Sequence, residues 1–140
     1  LYENQSNTAG YFTAAKGTTD AQGALAQATA LGQALGTAIY FAVDCDLTAS
    51  QISSGVVPYF ESIAAVLGGK YAAGVYGSGL TCATLLDQDL ATFAWLTCSM
   101  GFQGSKSFTR WNVKQSDEAK LCGLDIDPDV GVAQFGQFRI

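Results

Sequence analysis

Asp44 and Asp46 stand two residues apart at the end of an apolar run, Ala38 through Val43. Ile39, Tyr40, Phe41 and Val43, with Cys45 more weakly, favour a strand over a helix. Strand alternation puts Tyr40, Ala42, Asp44 and Asp46 on one face, with the two carboxylates roughly 6–7 Å apart. In parallel α/β folds that end of a strand is where ligands and chemistry gather. A carboxylate is costly to desolvate without a partner, so the pair reads as acid/base or substrate-polarising groups. The competing reading is capping: of a neighbouring loop or helix by Asp44, and of Thr48 to Ser50 by Asp46.

The elements that must position these groups alternate along the chain. Leu1 to Gln5 reads as the end of a strand, so the chain is expected to begin inside an element, as a fragment or processed product. Asp20 is expected to cap a helix from about Ala21 to Leu35 with Ala24, Leu25, Ala28, Leu31 and Leu35 inward. Leu47 to Gly55 reads as a polar loop. A second helix covers about Val56 to Leu67, with Pro58 in its first turn and Gly68-Gly69 as its stop. Strands follow at Tyr71 to Tyr76, Thr92 to Cys98 and Arg110 to Gln115, with a short helix from Leu80 to Leu90. Lys120 to Ile140 reads as irregular, apart from a short strand near Leu124 to Ile126. Such alternation predicts one domain over residues 1–140 on a mostly parallel sheet. The pattern suits an open doubly wound sheet and part of a barrel equally.

Composition removes several classes of function. The 140 residues carry 49% hydrophobic and 14% charged side chains, which suits a packed core. A net charge of −5 argues against a nucleic-acid partner. No apolar run approaches the ~20 residues of a membrane helix. Histidine is absent, which excludes Ser-His-Asp and Cys-His catalysis and His-based zinc sites. Gly77-Ser78-Gly79 is no nucleophile elbow, because Tyr76 stands where the first glycine belongs. Cys45, Cys82, Cys98 and Cys122 form no C-x-x-C pair, so a zinc knuckle is not expected. Disulfides fit an exported protein and leave three pairings open; four buried thiols fit a reducing compartment. Few lysines, many Ser, Thr and Gly, and acidity favour export. Asn4-Gln5-Ser6 fits a glycosylation sequon.

A series of motifs resembles a known family. They are Gly10-Tyr11-Phe12-Thr13, Asp20-Ala21, Gly36 through Asp44, Gly74-Val75-Tyr76-Gly77-Ser78, Ala94-Trp95-Leu96, Trp111 through Gln115, and Leu124-Asp125-Ile126-Asp127. In order and spacing the series is similar to the glycoside-hydrolase-like domain of actinobacterial and fungal envelope proteins, relatives of the glycoside hydrolase family 25 lysozymes. The resemblance implies an α/β fold, a (β/α) barrel of the TIM type lacking its first two strands in this chain. A full barrel needs ~200–250 residues, so another segment or chain is expected to cover an open edge. The resemblance also implies roles. Asp44 matches an Asp that holds the site, and Asp46 stands where the family 25 enzymes place a Glu proton donor. Asp is one methylene shorter, a setback of ~1 Å that can cost ~10²-fold in rate. Asp127 matches a late acidic motif, and Glu3 joins the same rim.

Other residues carry alternatives. Asp125, Asp127 and Asp129 alternate as ligands for a hard cation would. An EF-hand is excluded, because Val130 stands sixth and Gly136 twelfth. Tyr76 and Trp95 suit either sugar stacking or core packing, Trp111 the core, and Gln115 a bond to substrate or a loop. Two functions follow from the resemblance: a secreted hydrolase of cell-wall glycan such as peptidoglycan, or a non-catalytic glycan-binding or structural envelope domain on that scaffold. In the first, Asp46 is the acid and Asp44 and Asp127 orient the sugar, with no metal or organic cofactor implied. A cytosolic domain with a small-molecule pocket is a third, weaker possibility.

Overall fold

The structure, a computed structural model, describes residues 1–4 and 6–138, so Gln5 of the opening segment and sequon lies outside it, as do Arg139 and Ile140. The first helix, α1, is Ala14–Ala30 and starts seven residues earlier than Ala21, the expected start. Thr13, not Asp20, is its cap and accepts from the Lys16 N–H at 3.2 Å. Leu31 and Leu35, expected inside, lie beyond the helix and are exposed. The second helical run begins at a capping box in which Thr48 and Gln51 satisfy each other's backbone. It passes through α2 (Ala49–Gln51), a π-turn (Ile52–Val56) and α3 (Val57–Leu67), so the expected polar loop is partly helical. Gly68, at φ +55°, stops it in the left-handed conformation that favours glycine.

The main sheet holds β1 (Ala38–Ala42), β2 (Ala72–Gly77), β3 (Phe93–Leu96), β4 (Val113–Gln115) and β7 (Asp129–Gly131), in that order. The first four strands are parallel and β7 is antiparallel to β4. A hairpin, β5 (Ala119–Leu121) with β6 (Leu124–Ile126), leads into β7. Helix α4 (Gly79–Asp87) joins β2 to β3.

The expected TIM-type barrel is corrected by this sheet, which does not close. The alternation of strand and helix lapses after β3, because residues 97–112 contain no helix. Among the described residues, the outer edge of β1 meets an isolated parallel bridge, Tyr2 to Phe41, and one backbone hydrogen bond from Ala38 N–H to Gly136 O. The last strand turns antiparallel and is three residues long. A barrel needs a continuous ladder around its circumference, and among the described residues no strand ladder joins β7 to β1.

The two sheet faces differ. Ile39, Phe41, Val43, Ala73, Val75 and Ala94 pack in one core with Phe60 and Ile63 of α3 and Leu85 of α4. On the other face Tyr40, Tyr76 and Trp95 meet edge to face, Trp95 at 5.9 Å from Tyr40 and 5.6 Å from Tyr76. Behind the core, Asp20 on the inner side of α1 is 1% exposed and accepts from the hydroxyls of Tyr11 at 2.6 Å and Tyr59 at 2.8 Å. Burial first, and then the bond to Asp20, raise both phenol pKa values. Gly17, one turn earlier, lets α1 approach α3 so closely that a methyl group there would run into the Tyr59 carbonyl oxygen.

Tyr59→Phe leaves Asp20 with one of its two donors. Hydrogen bonds to a charged group contribute about 1.5–3 kcal/mol, and urea denaturation is expected to show a loss of that size. A change under about 0.5 kcal/mol, the scale of an ordinary surface substitution, would contradict this role for the bond.

Candidate functional site: a carboxylate-lined cleft

Strand register builds the site. Ala42 pairs with Tyr76, Tyr76 with Trp95, Trp95 with Val113, and Val113 with Gly131, so five residues form one row across the sheet. Side chains two residues apart share a face. Two residues toward the C-terminal end of the parallel strands, that face presents Asp44, Thr97, Gln115 and, on antiparallel β7, Asp129. Two residues the other way, Tyr40 pairs with Gly74. A methyl at Gly74 would sit 2.6 Å from the Tyr40 ring, so glycine there makes room for the ring.

The C-terminal strand ends open on a cleft of about 560 Å³. Its walls include Glu3, Asp44, Glu118, Asp127 and Asp129, with Tyr76, Trp95 and Gln115 among the remaining side chains and no Lys or Arg among the described residues. Six of the residues singled out from sequence therefore meet: Glu3, Asp44, Tyr76, Trp95, Gln115 and Asp127. Asp46 does not join them. The last ladder bond to β2 is Val43 N–H to Tyr76 O and the chain bends at Cys45, so Asp46 leaves the sheet. Its carboxylate accepts from the backbone N–H of Gln103 at 2.8 Å instead.

Hydrogen bonds fix the cleft's side chains. The Tyr76 hydroxyl donates to Gln115 Oε1 at 2.8 Å and lies 3.2 Å from Thr97 Oγ1. Burial pushes the Tyr76 phenol up to about 12, so it remains a donor at any working pH. The Trp95 indole Nε1–H donates to Asp129 Oδ1 at 2.8 Å. The Asp129 pKa is raised by burial and then by the like charge of Asp127, with the Trp95 bond acting against them. Backbone places Asp44, whose N–H donates to Ser6 O at 2.9 Å.

Asp129 and Glu118 are the carboxylates that the sequence reading did not assign to the cleft. Asp129 entered it only through the alternating aspartates and the late acidic motif. The signal for a strand was there in Val130 and Val132, which alternate with Asp129 and Gly131, but the segment was read as irregular. Nor do the three alternating aspartates converge: Asp125 pairs with Lys120 at 3.0 Å, Asp127 lines the cleft, and Asp129 holds Trp95. No cluster of three potential metal-ligating side chains forms among the described residues. All four cysteines are unpaired, so none of the three disulfide pairings forms; Cys82 is buried and Cys122 is exposed. A second concavity, about 340 Å³, lies at the opposite end of the strands near Gly36, Tyr71 and Thr92, with Asp89 as its one carboxylate. No helix among the described residues is long and apolar enough to cross a membrane.

The raised pKa of Asp129 has a consequence for stability. Folding favours its protonated form, so its contribution is present below the unfolded carboxylate pKa and is lost as pH rises through the folded value. Asp129→Asn keeps an acceptor for Trp95 and removes the charge. Thermal denaturation is expected to show this variant more stable than wild type at neutral pH, with the gap closing near about pH 3. A variant less stable than wild type at neutral pH would contradict the raised value.

The chain is 31% identical over 117 residues to the uncharacterized protein YbfG of Bacillus subtilis, a match covering 77% of this chain and 16% of YbfG. It is 29% identical over 113 residues to the uncharacterized FadG of the same organism, covering 77% of this chain and 20% of FadG. Among solved structures, the Tat-secreted protein Rv2525c of Mycobacterium tuberculosis in complex with L-tartrate superposes with a TM-score of 0.77 at 25% identity, over 89% of this chain and 62% of that one. Its HEPES complex gives 0.76 at 25% identity, over 89% and 61%. The chain thus spans less than two thirds of Rv2525c and a fifth or less of the Bacillus proteins. Residues 1–133 match the sequence profile of the Rv2525c-like, glycoside hydrolase-like domain, and the chain belongs to that family.

Proposed function

We propose that the cleft binds cell-wall glycan of the peptidoglycan type and hydrolyses a glycosidic bond in it, outside the cell or in its envelope. The observation that carries this reading is Asp129, a carboxyl that holds a half-buried indole N–H and lines the cleft with four further carboxyl groups. Glycoside hydrolysis needs one protonated carboxyl to release the leaving oxygen and negative charge to stabilise the oxocarbenium-like transition state. Asp129 takes the first role in place of Asp46, which lies outside the cleft. Asp44 and Asp127 take the second and orient the sugar. The substrate's own acetamido oxygen serves as nucleophile, as in substrate-assisted enzymes. The Trp95 ring offers a sugar an apolar face. Family membership supports a glycan-related role, and the secretion of Rv2525c supports the location. We propose further that residues 1–140 act as one domain, which another segment or chain accompanies.

The alternative is glycan binding without cleavage, on the same scaffold. One observation favours it: Asp46, at the position of the proton donor in the family 25 enzymes, is bonded to the Gln103 backbone.

Release of reducing ends from purified peptidoglycan separates the two. Hydrolysis by wild type is expected to fall about 10²-fold or more in Asp129→Asn and Asp44→Asn, and to stay within a few-fold in Asp46→Asn. The rate is expected to decline as pH rises through the raised pKa of Asp129, because the acid form is then lost. Binding with no turnover by any form would establish the alternative.

A further inference from the structure

We propose that the ligand of the cleft is amphiphilic, a glycan joined to an apolar chain, with the sugar among the carboxylates and the chain in an adjoining apolar pocket. This ligand class rests on the glycan reading of the cleft. The pocket holds about 450 Å³ on the helix-free face of the sheet, between Tyr40, Val113, Gly131, Phe135 and Phe138. That volume is in the range of small-molecule sites. It shares Leu1, Trp95 and Asp129 with the cleft, so the two concavities are continuous.

Trp95 marks the boundary. Its N–H is bonded to Asp129, while its ring meets Tyr40 edge to face. Beyond it two polar groups of the pocket wall are occupied by the protein itself. The Tyr40 hydroxyl donates to Phe135 O at 2.8 Å, and the Ala38 N–H donates to Gly136 O at 2.8 Å. These bonds fasten the segment after β7 to the start of β1 and leave carbon facing the space. A sugar placed there would lose its hydration without gaining hydrogen bonds; an alkyl chain loses none. Leu1 and Phe138, 58% and 37% exposed, add apolar surface at or near the rim that a chain would cover.

Calorimetric titration with n-alkyl N-acetylglucosaminides, methyl through octyl and below their micelle concentrations, tests the proposal. Affinity is expected to rise about fourfold per buried methylene and to level off when the pocket is full. Gly131→Leu adds side-chain volume beside Phe135, where a first carbon would make ordinary contact at 3.4 Å. It is expected to flatten the chain-length dependence and to leave the methyl glycoside unchanged. Asp44→Asn is expected to weaken every member by one common factor. Wild-type affinity that is independent of chain length, with the methyl glycoside bound, would overturn the amphiphile and leave the glycan reading standing. Binding of hexanol as tight as that of the hexyl glycoside, or no binding of any glycoside, would overturn both. The wild-type series decides the matter alone where Gly131→Leu does not fold.

Discussion

Parallel pairing in register is the constraint on which the rest of this molecule depends. Ala42, Tyr76, Trp95, Val113 and Gly131 lie in one row because each backbone ladder fixes its neighbour's phase. A slip of one residue would send every side chain to the opposite face. Phe41 and Val75 would leave the helix-covered core, and Tyr76 and Trp95 would enter it. The cleft is what this row becomes two residues further on, where the strands end and carboxylates replace carbon. The burial that drives β1 into the sheet therefore also brings Asp44 to the rim.

The helical layer steadies that row from behind. Asp20 joins the turn at Tyr11 to α3 at Tyr59 through two hydroxyl donors. A buried carboxylate is tolerable only with such partners. Gly17 brings α1 and α3 close enough for the Tyr59 hydroxyl to reach it. Polar chemistry thus sits on both sides of the sheet with opposite consequences. Behind it, one carboxylate with two donors organises the packing. In front, five carboxyl groups line the cleft, with no Lys or Arg among the described residues of its walls.

Much of this was legible in the sequence, and the failures have physical causes. Apolar runs located β1, β2 and β3, face alternation put Asp44 at a strand end, and Tyr76, Trp95 and Gln115 stood out at or near strand ends. Alternation failed at Asp46, because the chain bends at Cys45, past the last ladder bond at Val43. Asp20 was misread as a cap because Lys16-Gly17-Thr18-Thr19 has turn-like composition. The glycine serves close packing inside the helix instead, and Thr13 is the cap. Asp129 was missed because a three-residue edge strand carries too few alternations to stand out. The barrel was wrong for a different reason. Closure depends on edges far apart in sequence, and local periodicity says nothing about whether they meet.

The central claim is that Trp95 and Asp129 face the ligand as a coupled pair. The indole N–H resonance of Trp95 reports on both, and Trp111, the only other tryptophan, is an internal control. A pH titration of this resonance by NMR, with and without an N-acetylglucosamine oligomer, is the most direct test. The Trp95 signal is predicted to titrate above the ordinary Asp value and to shift on adding sugar, while that of Trp111 stays still. A Trp95 signal that titrates at or below the ordinary Asp value, or that stays unmoved by bound sugar while Trp111 shifts, would contradict the account.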